Sequence, residues 1–515
     1  MDLSVIAAWA GLEPTRERLA RLTAAAPFVT VPIEALRDLP GIPDSEVPVV
    51  RPRAIPLRHE APARTSGVTE PCDLGLVDAA LAIRRGELSP VELLRSCLAA
   101  IDRTDPVIGA FVRLTSPHSP ADGVLHGIPY AAKDIVDTAG AACECGSDAF
   151  AGRVPSADAT VVTRIRAAGG VLVGKTATHE IALGMSTPHA RNPWDPSKMA
   201  SGSSGGSAAA LAARQVPMAL GSDTGGSLRV PSAFCGTTAI KPTHGLVPGT
   251  GVMSLARSFD VVGPMARSAQ DCWLLLRVLT GQAPPEPDHV HVDMRQVRVG
   301  VADVSTPDQL AVAETLRGLG AELVDVRLPP PEIAQAVGGV VASVEASAEF
   351  RAHVARGARF SEEVLGLLEA GLTVPAADFL HANRVRAAIR RDYAELFERV
   401  DVLLLPTSPV TDLPHGISDV DGVPLIPVLT PFTFPANLTG LPAIAFPCGF
   451  TASGMPVGAQ LYGPAGSEQL LAAVAGAYQD VTDWTARKPD ESLLSSSTAT
   501  NASAATAAKN QNPHG

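Results

Sequence analysis

The sequence predicts an α/β protein built around a buried sheet, and two observations support this class. Short apolar runs of strand length alternate with helical segments; the clearest runs are Val171–Val173, Val402–Leu405 and Ala443–Phe446. Such alternation is typical of a sheet that is covered by helices. The chain also has 515 residues, of which 46% are hydrophobic and 18% charged. This composition is that of a globular chain with a large core.

The charge balance and the hydropathy exclude several classes of partner. Lys and Arg number 41 and Asp and Glu 53, which gives a formal net charge of −12 without a basic stripe. We therefore expect no binding to nucleic acid, and no apolar run reaches the roughly 20 residues of a membrane helix. The acidic start at Asp2 is unlike a signal peptide. The expectation is a soluble, cytoplasmic protein without a membrane partner.

The seven cysteines favour free thiols over disulfides or a metal site. Their number is odd and their spacing irregular in a long chain, which is typical of a reducing compartment. Cys143 and Cys145 form a pair, but no second pair or histidine cluster accompanies them. A zinc site needs such a set, so we expect neither a metal nor another cofactor.

The first part of the chain predicts a small helical module, residues 1–40, followed by a linker. Apolar side chains on one helical face begin the chain: Leu3, Ile6, Ala7 and Ala10. Gly11 breaks this pattern, and a second helix is expected after Pro14. Residues 41–73 are rich in proline and charge. This composition predicts an extended, semi-rigid linker.

The main body, residues 74–487, begins with two helices that are separated at Gly86. Ser89 is the expected N-cap of the second helix and Pro90 its first residue. Farther on, Ala159–Ala168 and Ala382–Arg399 are predicted helices, the latter clearly amphipathic. Residues 488–515 are of low complexity. They predict a disordered tail, because they carry little apolar surface to bury.

The strongest functional pattern is a pair of Gly/Ser-rich turns, SGSSGGS at 201–207 and GSDTGGSLRVP at 221–231. Glycines before a serine let a ligand approach the main chain, and successive N–H groups can hold an anion. An oxyanion hole needs such donors. The pattern predicts Ser227 as a nucleophile, with candidate donors on the backbone of Thr224, Gly225, Gly226 and Ser227 itself.

The candidate base for this nucleophile is a lysine. Lys133 ends the apolar segment GIPYAAK, and burial can lower the pKa of a lysine until its neutral amine is populated. Ser203, in the first turn, can pass a proton from Ser227 to Lys133. A set of two serines and a lysine predicts acyl transfer from an amide.

At these residues the sequence resembles the amidase signature family. The resemblance extends from the two turns and GIPYAAKD to Lys241–Pro242, Gly169–Thr176 and Asn437–Gly449, and it spans Leu74 to Arg487. It implies an α/β/α sandwich with a large mixed central sheet. One departure is Ser201, where the family usually has glycine.

The resemblance also implies roles for the site residues. Ser227 would be the nucleophile, Ser203 the bridging serine after a cis Gly202–Ser203 bond, and Lys133 the base. Asp223 and Arg229 belong to the same motif and would hold the nucleophile turn. The implied activity is hydrolysis of a carboxamide C–N bond through an acyl-enzyme, with release of ammonia or an amine. The family often forms dimers, so a homodimer is a possible assembly.

The substrate class is left open by the sequence. One alternative is the glutaminase (A-type) subunit of a tRNA-dependent amidotransferase, but KTATHEIALG at 175–184 and VPAADFLHANRVR at 374–386 depart from that subunit's patterns. Residues 1–40 resemble the small helical subunit of biuret- and carboxybiuret-type amidases. This favours a small polar amide or ureide. The sequence is also compatible with an acyl-transferring amidase and with a binding protein whose site is inert.

Three further motifs are interpreted as structural. GGVLVGKT at 169–176 matches a phosphate-binding loop in form, but it is expected to be a strand that follows a helix. His179 and Glu180 lack a second histidine and predict polar packing near the site. A set of four arginines on one helix is mostly a solvated face, although one of them could hold a substrate carboxylate: Arg384, Arg386, Arg390 and Arg391.

Overall fold

The structure is a computed structural model, and it describes residues 3–60, 70–282 and 286–494. The helices are α1 (Leu3–Trp9), α2 (Arg16–Ala25), α3 (Pro27–Leu36), α4 (Leu76–Arg84), α5 (Pro90–Ile108), α6 (Thr160–Ala167), α7 (Gly205–Ala212), α8 (Arg229–Cys235), α9 (Ala269–Thr280), α10 (Pro307–Gly318), α11 (Pro331–Ala355), α12 (Glu362–Gly371), α13 (Ala376–Arg399), α14 (Leu425–Leu429), α15 (Phe434–Thr439) and α16 (Glu468–Gln479).

The strands of the described residues are β1 (Leu57–Glu60), β2 (Phe111–Leu114), β3 (Pro129–Lys133), β4 (Val171–Thr176), β5 (Arg191–Asn192), β6 (Asp195–Met199), β7 (Met218–Asp223), β8 (Thr238–Lys241), β9 (Val261–Ala266), β10 (His289–Val292), β11 (Arg298–Ala302), β12 (Glu322–Val326), β13 (Val402–Pro406), β14 (Asp419–Val420), β15 (Val423–Pro424), β16 (Ala443–Phe450) and β17 (Pro456–Tyr462).

Eleven of these strands form one mixed sheet, in the order β12-β11-β13-β17-β16-β8-β9-β7-β3-β4-β2. Strand β3 runs parallel to both of its neighbours, β4 and β7, whereas β7 and β9 are antiparallel. Every residue of β3, β4 and β7 is buried, as expected for strands covered on both faces. The predicted α/β class with a large mixed central sheet is confirmed.

Local signals account for several of the elements. Helix α5 begins at Ser89, whose hydroxyl accepts from the N–H of Glu92 at 3.1 Å while the Glu92 carboxylate accepts from the N–H of Ser89 at 2.9 Å, a capping box. The helix expected at Ala382–Arg399 is the second part of α13, which begins at Ala376 because Pro375 precedes a run of good helix formers. The segment expected to be a strand at Val171–Val173 continues to Thr176.

The three N-terminal helices pack on α11, α12 and α13. Ala25 and Val29 bury against Ala370 of α12, and Ile33 and Leu36 join an apolar cluster with side chains of α11 and α13. The buried carboxylate of Glu369 accepts from Arg18 at 2.6 Å and from Arg21 at 3.3 Å. The domain boundaries at residues 40, 73 and 487 stay predictions.

The structure corrects the expected linker and tail in part. Within residues 41–73, Leu57–Glu60 is a strand that pairs with β10 and not a free connection; residues 61–69 lie outside the described residues. The predicted disordered tail is wrong for residues 488–494, because a helical turn at Glu491–Leu494 buries Leu494 in an apolar cluster. The rest of that tail, residues 495–515, lies outside the described residues.

In the described part of the chain, no helix taken alone has both the length and the apolar character needed to cross a membrane. Two helix pairs meet the criterion only jointly, and both are sharply bent. These are α2 with α3, at 44°, and α12 with α13, at 91°.

Candidate active site

Lys133 stands at the carboxyl end of β3, and its side chain is fully buried. Its Nζ lies 2.7 Å from Oγ of Ser203, 3.0 Å from Oγ of Ser204 and 2.9 Å from Oγ of Ser222. The structure therefore brings Lys133 and Ser203 together as expected, and it adds two hydroxyls that the sequence interpretation missed.

The surroundings of Lys133 disfavour its charged form. Burial lowers the pKa of Lys133 to about 7, although the carboxylates of Asp223 and Asp260 act in the opposite direction. At neutral pH a substantial share of Lys133 is thus the free amine, which can accept a proton.

Ser227 lies in the turn between β7 and α8, and Asp223 organises this turn. The carboxylate of Asp223 accepts from the N–H of Gly226 at 2.7 Å and from that of Leu228 at 3.1 Å. Gly226 has φ +140°, a conformation that side chains rarely adopt. The two Gly/Ser-rich turns also touch, because the N–H of Ser204 donates to the carbonyl of Ser227 at 3.2 Å.

Among the described residues, the hydroxyl of Ser227 makes no hydrogen bond to the lysine cluster. Its contact is with the sulfur of Met185, at 4.0 Å, and among the described residues no hydrogen bond joins the hydroxyls of Ser227 and Ser203. The peptide bond between Gly202 and Ser203 is cis, as the resemblance implied.

The predicted oxyanion donors are only partly free. The N–H of Gly226 is already donated to Asp223, whereas in the described part of the chain the N–H groups of Thr224, Gly225 and Ser227 have no hydrogen-bond partner. The Thr224 hydroxyl donates to Asp260 at 2.6 Å. Three backbone donors therefore remain for a ligand in this turn.

Asp223 and Arg229 form a buried ion pair beneath the turn, with nitrogen–oxygen distances of 3.1 Å and no exposure of either side chain. Burial alone would raise the pKa of Asp223, but the adjacent guanidinium holds this pKa below its usual value. Arg229 also donates to Asn437 at 2.7 Å and to Gln460 at 3.1 Å. The turn is thereby fixed to α15 and β17.

The sequence interpretation missed Ser204, Ser222, Asn437 and Gln460. Ser204 directly follows Ser203 in SGSSGGS, and Asn437 lies in the matching segment NLTG, so both had a local signal. Ser222 lies in GSDTGGSLRVP and therefore had a local signal as well. Gln460 had none, since its position depends on which strands are neighbours in the sheet.

The residues of the weaker sequence motifs make contacts that fit a structural role. Lys175 belongs to β4, donates to the carbonyl of Val136 and lies 3.5 Å from Asp134, so its segment is a strand as expected. Arg386 donates to the backbone of Leu438 and Ser258 and to the Ser258 hydroxyl, so its guanidinium is held by these two residues. All seven cysteines are free and buried.

Two cavities reach the site. One, of about 250 Å³, is lined by Met185 next to Ser227. The other, of about 350 Å³, is lined by Ser222 and Thr224. Both are of a size for a small molecule.

Comparisons with known proteins agree with this architecture. The Amidase family model matches residues 92–472. The A subunit of the glutamyl-tRNA(Gln) amidotransferase of Roseiflexus sp. (strain RS-1) is 38% identical over 481 residues, which cover 81% of this chain and 98% of that protein. The crystal structure of an amidase superposes with a TM-score of 0.72 at 30% identity, covering 79% of this chain and 99% of that one.

A further solved structure, of a complex reported to reveal the evolutionary origins of an s-triazine catabolic enzyme, has a TM-score of 0.71 at 30% identity and covers 79% of this chain and 98% of the other. The fold, the buried lysine–serine cluster and the family match all indicate the same class of protein, the amidases. The chain belongs to the amidase family. It is an enzyme that acts on the carbon–nitrogen bond of amides.

Proposed function

We propose that this protein hydrolyses a carboxamide through an acyl-enzyme on Ser227, with Ser203 and Lys133 as the proton relay. The observation that carries the proposal is the enclosure of the Lys133 amine by three hydroxyls in a fully buried setting. A purely structural lysine gains little there, because burial opposes its charge.

The hydrogen-bond pattern supports the direction of the relay. A neutral amine has two hydrogens and one lone pair, so one of the three hydroxyls donates to Nζ. The Ser204 hydroxyl already donates to the carbonyl of Ser222 at 3.1 Å. The donor to Nζ is therefore Ser203 or Ser222, and we assign it to Ser203, the bridging serine that the family resemblance implies.

The reaction follows from these positions. The Ser227 hydroxyl turns from Met185 toward Ser203, attacks the amide carbon and loses its proton through Ser203 to Lys133. The oxyanion accepts from free N–H groups of the turn. The proton then passes to the leaving nitrogen, the C–N bond breaks, and water attacks the ester in a second round that releases the acid and frees Ser227.

A second candidate narrows the same chemistry to glutamine. Its support is the 38% identity to the A subunit of an amidotransferase, whose length this chain covers almost completely. A protein of that kind would deliver ammonia to partner subunits. Against it stand the departures at 175–184 and 374–386, and the part of this chain that has no counterpart in that relative.

Ammonia release from a panel of amides tests the proposal. The panel contains glutamine, biuret, malonamate, and aliphatic and aryl amides, and Ser227→Ala serves as the blank. We expect release from at least one class and none in the blank, with a loss of several orders of magnitude in Lys133→Ala. Equal ammonia release by Ser227→Ala would refute the assignment of Ser227 as the nucleophile. Ammonia release from glutamine alone, enhanced by partner subunits, would favour the second candidate.

A further inference from the structure

The cavity beside Met185 is lined by the loop at 184–188 and by residues of α3, α12 and α14. Its inner end is Met185, whose sulfur is 4.0 Å from the Ser227 hydroxyl oxygen. Its outer walls include Phe28 of α3 together with Glu363 and Leu367 of α12. A molecule in this cavity would thus touch Phe28 of the N-terminal helices and also Met185, the side chain in contact with the Ser227 hydroxyl.

The described side chains that line this cavity contribute negative charge and no positive charge. Glu363 is the one side chain among Asp, Glu, Lys and Arg that lines it in the described part of the chain. The two lining histidines, His179 and His415, are held neutral near pH 7, because burial lowers the pKa of each imidazole. The cavity therefore carries a negative charge at its mouth and offers no cation.

The lining histidine His179 sets no preference between donors and acceptors. Nδ1 of His179 lies 3.2 Å from the carbonyl oxygen of Ser186 and 3.1 Å from its hydroxyl oxygen, so this ring can donate or accept at that atom. The selection therefore rests on the charge of Glu363.

We propose that this cavity holds the part of the substrate beyond the scissile amide, that it selects amides whose distal group is an amine, and that Phe28 of the N-terminal helices forms part of its specificity wall. The inference rests on the proposed amide hydrolysis at Ser227. It adds the substrate class and assigns a specificity role to α3 and α12.

A carboxylate on the substrate would be disfavoured in this cavity for two reasons. It would meet Glu363 as a like charge, and it would find no lysine or arginine to pair with. Arg386, the arginine considered above for that role, is engaged with Ser258 and Leu438 and does not line the cavity.

Three amides that lack the α-carboxylate of glutamine, its amine, or both test this selection. γ-Aminobutyramide lacks the α-carboxylate, glutaramate lacks the amine, and butyramide lacks both. We expect kcat/KM for ammonia release to fall in the order γ-aminobutyramide, butyramide, glutaramate. In Glu363→Gln the advantage of the amine over butyramide should shrink by about three- to fivefold, as for a solvent-exposed ion pair.

Two matched variants control for charge and helix stability. Glu362→Gln removes the same charge one residue away, from a side chain that does not line the cavity, and should leave the order and the ratios unchanged. Phe28→Leu should raise KM with little change in kcat, because it alters a wall and not the reacting groups. Val31→Ala, on an exposed part of the same helix, should change neither constant.

The outcomes separate the two proposals. A Ser227-dependent enzyme that prefers glutaramate, or whose amine preference is the same in wild type and Glu363→Gln, overturns this inference and leaves amide hydrolysis standing. An unchanged KM in Phe28→Leu overturns the role of α3. No ammonia from any amide of the full panel overturns the proposed function, and this inference with it.

Discussion

Two buried lysines in this protein have the same lowered pKa but different surroundings. Burial lowers the pKa of Lys133 and of Lys241 to about 7 in each case. Lys133 is surrounded by three hydroxyls, whereas Nζ of Lys241 donates to the carbonyl of Pro242 at 2.8 Å. At the scale of single residues, a lowered pKa does not by itself identify a lysine that takes part in a proton relay. The hydrogen-bond partners of the amine distinguish such a lysine from one with a structural role.

The pH dependence of the reaction should report Lys133. A base must be neutral to accept a proton, so kcat/KM is expected to be low well below pH 7, to rise through about 7, and to level off above it. The measurement is the pH profile of ammonia release with a substrate whose charge is constant over this range.

Lys241→Met is the matched control for this profile, since it removes the second buried lysine whose pKa is lowered to about 7. The inflection should stay in place in that variant. Its disappearance there, or a profile that falls as pH rises through 7, would contradict the assignment of Lys133 as the base.

The ion pair beneath the nucleophile turn should be important for stability. Asp223→Ala leaves the fully buried guanidinium of Arg229 without its carboxylate, and loss of one partner of a buried pair costs about 3–5 kcal/mol. Urea denaturation should show this loss as a lower free energy of unfolding. Asp483→Ala breaks an exposed pair with Arg487 and should cost no more than about 1 kcal/mol; similar losses in both variants would count against the role of Asp223.

At the scale of elements, the turn after β7 depends on the absence of a side chain at Gly226. A Cβ there would lie 2.3 Å from Oγ1 of Thr433, and the backbone has φ +140°. Thr433 is itself fixed, because its hydroxyl donates to the carbonyl of Gly225 at 2.7 Å. The nucleophile turn and α15 are therefore packed as one unit.

Gly226→Ala should abolish amide hydrolysis by displacing the N–H groups of this turn, with a loss of at least about a hundredfold in kcat, as for the removal of an oxyanion donor. Steady-state ammonia release measures it. Gly140→Ala is the control: Gly140 also has a positive φ, but its Cβ would meet no atom within 4 Å. Near-normal turnover in Gly226→Ala would show that the turn tolerates a side chain.

How much the sequence could predict depends on the range of the interactions. Local signals predicted the start of α5 at Ser89 and the strand at Val171, because capping and apolar runs involve near neighbours. The contact of Lys133 with Ser203 followed from a family resemblance. The partner Gln460 could not be predicted, since it arises from the order of strands in an eleven-stranded sheet, which no local pattern encodes.

At the scale of the whole molecule, the N-terminal helices are part of one packed structure with the catalytic sheet. They cover apolar side chains of α11, α12 and α13, and the Glu369 carboxylate beneath them is fully buried. Without these helices, that carboxylate and the apolar surface around it would face water.

A chain that lacks residues 1–40 should therefore have a lower midpoint of thermal unfolding and should aggregate, because it exposes a contiguous apolar surface. Calorimetry and light scattering measure the two effects. Trp9→Ala, which alters an 82% exposed side chain in the same segment, should change neither. A truncated chain that stays monodisperse with an unchanged midpoint would show that these helices are an independent attachment.

The position of the lysine cluster has a consequence for laboratory evolution of this enzyme. Lys133 and Ser222 belong to β3 and β7, which are hydrogen-bonded neighbours, so their spacing is set by the roughly 4.8 Å between adjacent strands. The walls of the Met185 cavity come instead from residues outside these two strands, among them Phe28 of α3 and Glu363 of α12. Libraries can therefore diversify Phe28, Glu363 and Leu367 for new amides while the reacting groups keep their distances.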